Sequence, residues 1–145
     1  MSASRLRAIA ERALGALGHR HADAHVTVVD DAAIRRLNRR YLGVRRATDV
    51  LAFDLRAPGP SRLLGEVVVS AETAARQARA AGVPTALELD LLVVHGLLHL
   101  SGYDDATPRL ARRMHSRARE ILESRGAVPA GLWRDLLPVT TAGRV

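Results

Sequence analysis

The sequence predicts an α+β fold: one domain with a small mixed β-sheet of three to four strands, covered by about five helices, with a metal site on a buried central helix. Three observations carry this reading. The chain has 145 residues and no internal repeat or low-complexity linker, which suits one core. Helical apolar periodicity recurs along it, whereas strand signals are few and short. With 48% apolar and 26% charged residues, it has the composition of a chain that buries a core.

Each element has its own signal. Over residues 3–17, Leu6, Ile9, Ala13 and Leu17 fall on one helical face, and Gly18 ends the helix. Ala24 to Val29 alternates and is rich in Val and Thr, marking a strand. Asp30 or Asp31 caps a helix over 32–42 whose Ile34 and Leu37 face inward. Thr48 to Phe53 is a second strand, Pro58 to Pro60 a turn, and Leu64 to Ser70 a third strand. Residues 71–81 form a helix closed by Gly82. Pro84 suits a helix start, and Thr85 to Leu100 is too long for a strand despite its LDLLVV run, so it is a helix buried on most sides. Gly102 stops it. Thr107-Pro108 opens a last helix to about Ser124, striped by Leu110, Met114, Ala118 and Ile121. The domain is expected over 1–138, with 139–145 a disordered tail.

Charge narrows the partners. There are 22 basic and 15 acidic residues, for a formal charge of +7, and every basic residue is Arg. A GC-rich genome is the ordinary cause of such usage, but the planar guanidinium also suits phosphate, so nucleic acid heads the anionic partners. No apolar stretch approaches the ~20 residues of a membrane span. Met1 to Ala10 holds Arg5 and Arg7 and no apolar block, so it does not read as a signal peptide. Without cysteine there is no disulfide and no thiolate metal site, so any metal is held by His, Asp or Glu.

The chemistry concentrates in HGLLHLSGYDD, residues 95–105. His95 and His99, four apart on a helix, project from one face, as two ligands of a single zinc require. Gly102 lets the chain reverse, and Asp105 follows His99 by six residues, the layout of metzincin-type sites. Three protein ligands leave a position open, as in catalytic zinc. The ordinary alternative is a pair of helix histidines, with Asp104 or Asp105 capping the next helix. The residue after the first His is Gly96, so the general base of an H-E-x-x-H protease is missing. A metal can still acidify a water without it. Six Arg (35, 36, 39, 40, 45 and 46) and no acid lie between Arg35 and Arg46, in a helix-to-strand connection suited to phosphate contact. Arg109, Arg113 and Arg117, with Arg112 beside them, read as a solvated helix face. Aromatics are too few for a base-stacking platform.

The segments LNRRYLGVRRATDVLAF (37–53), LLGEVVVS (63–70) and HGLLHLSGYDD (95–105) resemble the YbeY family of bacterial zinc-dependent endoribonucleases, also described as ribosomal RNA maturation factors. The resemblance covers roughly residues 25–125. It implies a cytoplasmic, single-strand-specific endoribonuclease acting in 16S rRNA 3′-end maturation and ribosome quality control. It also implies one Zn2+ held by His95, His99 and Asp105, RNA contact through Arg40, Arg45 and Arg46, and the small ribosomal subunit as partner, with a monomer favoured and no membrane. The chain departs from the family pattern in three places. Asp105 stands where relatives usually have His, which implies a weaker Lewis acid, makes manganese or iron more plausible, and leaves His115 as a substitute donor. Leu42 stands where relatives carry an Arg, and an N-terminal strand typical of relatives is missing.

Three functions follow. The first is the metal-dependent endoribonuclease, with the metal centre carrying catalysis. The second is a non-catalytic ribosome- or rRNA-binding assembly factor with a weakened or structural metal site. The third is a metallopeptidase, which needs a Glu beside the metal supplied from elsewhere in the chain, with Glu66 the candidate.

Overall fold

The computed structural model describes residues 3–42, 50–56 and 62–133. In chain order the elements are α1 (Ala3–Ala16), β1 (Asp23–Val29), α2 (Asp31–Leu42), β2 (Val50–Asp54), β3 (Leu63–Ser70), α3 (Ala71–Ala81), α4 (Thr85–Leu100), α5 (Pro108–Leu122) and a 3-10 turn, η1 (Ala130–Trp133). The α+β reading and its five helices hold, and the described sheet has three strands in the order β1-β3-β2. It is mixed. β1 runs parallel to β3, with Val26 opposite Val67, and β2 runs antiparallel to β3, with Ala52 opposite Val67. The first two residues expected in the second strand, the turn at 58–60 and the tail 139–145 lie outside the described residues.

α4 is the centre of the molecule. Its residues from Glu88 to Leu100 are all buried, because α1, α3 and α5 pack around it while β2 and β3 cover another side. Gly96 sets how close the sheet comes: a Cβ there would overlap Val67 Cγ1, so helix and strand touch almost backbone to side chain. One turn on, a Cβ at Gly65 would lie 2.9 Å from Leu100 Cδ2, which fixes α4 as antiparallel to β3 on this face. The main core joins Leu89, Val93, Leu97, Val67 and Val69 to Ala13, Ala74, Ala118 and Ile121.

α2 lies on the other face. Its Ile34 packs with Leu51 and Val68 in a separate small cluster joined by Val29, Leu37 and Phe53. Between the two expected caps, Asp30 is the one used: its Oδ1 accepts from Ala33 N at 2.7 Å. Asp31 instead turns its carboxylate outward from α2, accepting from Ser70 Oγ, Thr73 Oγ1 (2.8 Å) and Arg76 Nη1 (2.7 Å). Glu72 Oε1 accepts from the Asp31 backbone N–H at 2.8 Å, closing the clamp between α2 and α3. These donors hold the Asp31 carboxyl down at about 2, with Ser70 and then Arg76 contributing most.

Candidate metal centre

The end of α4 is built by a Schellman turn. Tyr103 N donates to Leu98 O at 3.0 Å and Gly102 N to His99 O at 3.1 Å, with Gly102 at φ 97°, where a glycine relieves the Cβ clash. The turn carries the chain from His99 round to Asp105. The cap of α5 is neither aspartate of the pair. Thr107 accepts from Leu110 N at 3.2 Å, with Pro108 in the first turn. Asp104 Oδ1 accepts from Ala106 N at 2.9 Å in the turn before it. Asp105 is therefore spared the cap and is buried at 6% exposure, as are His95 at 3% and His99 at 6%.

Burial decides the protonation of His95. It pushes the His95 imidazole down to about 3, helped by repulsion from His99 and then His115, so the ring is neutral at physiological pH and its lone pair is available to a metal. His95 Nδ1 is buried with no hydrogen-bond partner. Two imidazoles, His95 neutral, and a buried aspartate match a divalent metal in donor type. Among the described residues, however, no three His, Asp or Glu side chains stand as a group that could hold an ion. The donors fit in chemistry and burial, and a metal would have to draw them together.

The neighbours that sequence reasoning weighed are now placed. Gly96 faces Val67, so no side chain, and hence no glutamate, fits there. Glu66 lies between Gly65 and Val67 on β3 and projects to the opposite face, where Oε2 accepts from Thr27 Oγ1 at 3.0 Å. It is not beside the histidines. His115 on α5 is close enough to His95 to affect its charge, stacks on Trp133 at 5.4 Å between ring centroids, and is itself pushed down by burial and then Arg119. Arg40 is exposed on α2, across the sheet from α4. Arg45, Arg46 and the Leu42 side chain lie outside the described residues.

Sequence reasoning missed three features. Asn38 on α2 is fully buried, an amide where the helical pattern gave only a polar position. Asp90 on α4 is buried and ion-paired with Arg5 at 2.7 Å, and burial raises its carboxyl despite that partner. η1 escaped notice although Pro129 and the apolar pair Leu132-Trp133 mark it. Leu132 is buried in the main core, and Gly131 packs against the Ala81 carbonyl.

Comparison with known proteins then decides the family. The family profile described as "Endoribonuclease YbeY" matches residues 2–126. The chain belongs to the YbeY endoribonuclease family. Among YbeY relatives, the Anaeromyxobacter sp. (strain Fw109-5) endoribonuclease YbeY is 46% identical over 132 residues, covering 90% of this chain and 69% of that protein. The Geobacter sulfurreducens endoribonuclease YbeY is 43% identical over 134 residues, covering 86% and 89%. The solution structure of TM1509 from Thermotoga maritima superposes with a TM-score of 0.59 at 27% identity, covering 91% of this chain and 83% of that one. No single helix among the described residues is long and apolar enough to cross a membrane.

Proposed function

We propose that this YbeY chain is a metal-dependent endoribonuclease that cuts single-stranded RNA in 16S rRNA 3′-end maturation and ribosome quality control. On this reading it works in the cytoplasm as a monomer on the small ribosomal subunit. The observation that carries the reading is the buried His95–His99 pair on one face of α4, with His95 held neutral, in a chain of this family. His95, His99 and Asp105 would hold the metal, Zn2+ or another divalent ion. When bound, it supplies Lewis acidity at a phosphate oxygen. The rest of the work belongs to the chain. Burial keeps His95 unprotonated, so it does not repel a cation. The Schellman turn fixes where Asp105 follows His99. Arg40, Arg45 and Arg46 would neutralise the phosphate backbone. Neither a side chain at position 96 nor Glu66 supplies a carboxylate base, and this disfavours peptide hydrolysis and suits a substrate such as RNA, whose 2′-OH is its own nucleophile.

Nuclease-free protein loaded with Zn2+ or Mn2+ is expected to cleave a single-stranded rRNA 3′ fragment, and His95→Ala and EDTA are each expected to stop it. Equal cleavage by His95→Ala contradicts the proposal. A second reading, the non-catalytic assembly factor, is favoured by one observation: the three donors do not stand together among the described residues. It predicts small-subunit binding that survives His99→Ala, with no cleavage by the wild type.

A further inference from the structure

α5 carries its arginines in two distinct settings. In its second half they are engaged by the protein: Arg117 donates to Ala16 O at 2.5 Å and pairs with Glu120 at 2.8 Å, and Arg119 pairs with Glu123 at 3.2 Å and lies over Trp133. In the first half, Arg109, Arg112 and Arg113 are exposed, and none makes an ion pair among the described residues. At 3.6 residues per turn the three fall within an arc of about 100°. The first turn of α5 has no acid.

Their position relative to the histidines is set by two short links. Arg113 lies over the Tyr103 ring, 5.6 Å from its centroid. Tyr103 is half-buried against the main core and is held by its hydrogen bond to Leu98 O, one residue before His99. α5 itself begins three residues after the buried Asp105. The ring therefore orders a guanidinium next to the loop that joins the candidate ligands, and an ordered guanidinium loses less freedom when it grips a phosphate. Arg40 sits across the sheet.

We infer that Arg109, Arg112 and Arg113, with Tyr103 positioning Arg113, form the surface on which the phosphates of single-stranded RNA run beside the His95–His99 centre. This rests on the endoribonuclease reading and adds where the substrate lies. The recognition is of the backbone: forked guanidinium donors on one helix face, with Arg109 and Arg113 about 6 Å apart along the axis, suit successive phosphates, and the Tyr103 ring lies half-buried under Arg113.

The test is binding of a fluorescent single-stranded RNA by the full chain across a salt series. R109Q/R112Q/R113Q is expected to weaken binding about tenfold or more and to reduce the slope of log affinity against log salt by about 2. R7Q/R20Q/R79Q, with the same loss of charge at exposed sites elsewhere, is expected to stay within about threefold. Y103L is expected to lose part of the α5 effect, while R113Q added to Y103L costs less than R113Q alone. Thermal melts of each variant verify folding, and a triple variant that fails to fold is replaced by the single R109Q and R113Q variants. If the α5 variant binds like wild type, or the control loses as much, the surface is wrong while the nuclease reading stands. If wild type neither binds nor cleaves RNA, both fall.

Discussion

The two faces of the sheet are held by different means. On the α4 face, Val67 and Val69 meet a helix buried from Glu88 to Leu100, and contact is close enough that position 96 admits only glycine. On the α2 face, three fully buried apolar side chains make a small cluster, and the helix is fastened at its start by hydrogen bonds to the Asp31 carboxylate. The first face is built by packing, which fixes His95 and His99 in a water-poor environment. The second is built by a charged clamp and carries the exposed Arg35, Arg36, Arg39 and Arg40. The histidine pair therefore sits on the rigid side of the sheet, and the arginine-bearing helix α2 on the side whose attachment depends on charge.

Three perturbations test that contrast. The largest effect is expected from Gly96→Ala, where the new methyl collides with Val67. It should cost about 1–3 kcal/mol in denaturant unfolding, and Val67→Ala on the same background should recover part of the loss. A neutral Gly96→Ala would mean that the α4 face is looser than described. Next is Asp31→Ala, which removes the acceptor from Ser70, Thr73 and Arg76. A loss of about 1–2 kcal/mol should appear with faster hydrogen exchange in α2 and no change in α4, and equal acceleration in both helices would erase the distinction. Arg76→Ala removes only a half-exposed partner and should cost about 1 kcal/mol or less.

Acid provides a reversible version of the second experiment. The Asp31 carboxyl is held below its ordinary value near 3.8, at about 2, so its contribution is present above that ordinary value and is lost as pH falls from about 4 to about 2. Exchange in α2 should rise over that window in wild type and stay flat in Asp31→Ala.

Legibility follows the same division. The α4 face was readable because its signals are local: a 16-residue apolar run, histidines four apart and a glycine that ends the helix. The ends of α3 and α5 were legible for the same reason, through Gly82 and Thr107-Pro108. What the sequence did not reveal depends on contacts between distant segments. Asp31 looks like a cap until Ser70 and Arg76 fold onto it, and Asn38 looks like a surface residue until α2 docks. Glu66 could not be excluded until the pleat of β3 turned it from α4, and Arg109 to Arg113 read as a solvated face until Tyr103 placed one of them beside the histidine loop.

The central claim is that one metal ion binds between His95, His99 and Asp105. Metal content of the native protein, measured by elemental mass spectrometry for wild type, His95→Ala and Asp105→Ala side by side, tests it most directly. The account predicts about one equivalent of a divalent metal in wild type and loss in both variants. A wild type without metal, or an Asp105→Ala protein that keeps a full equivalent, contradicts it.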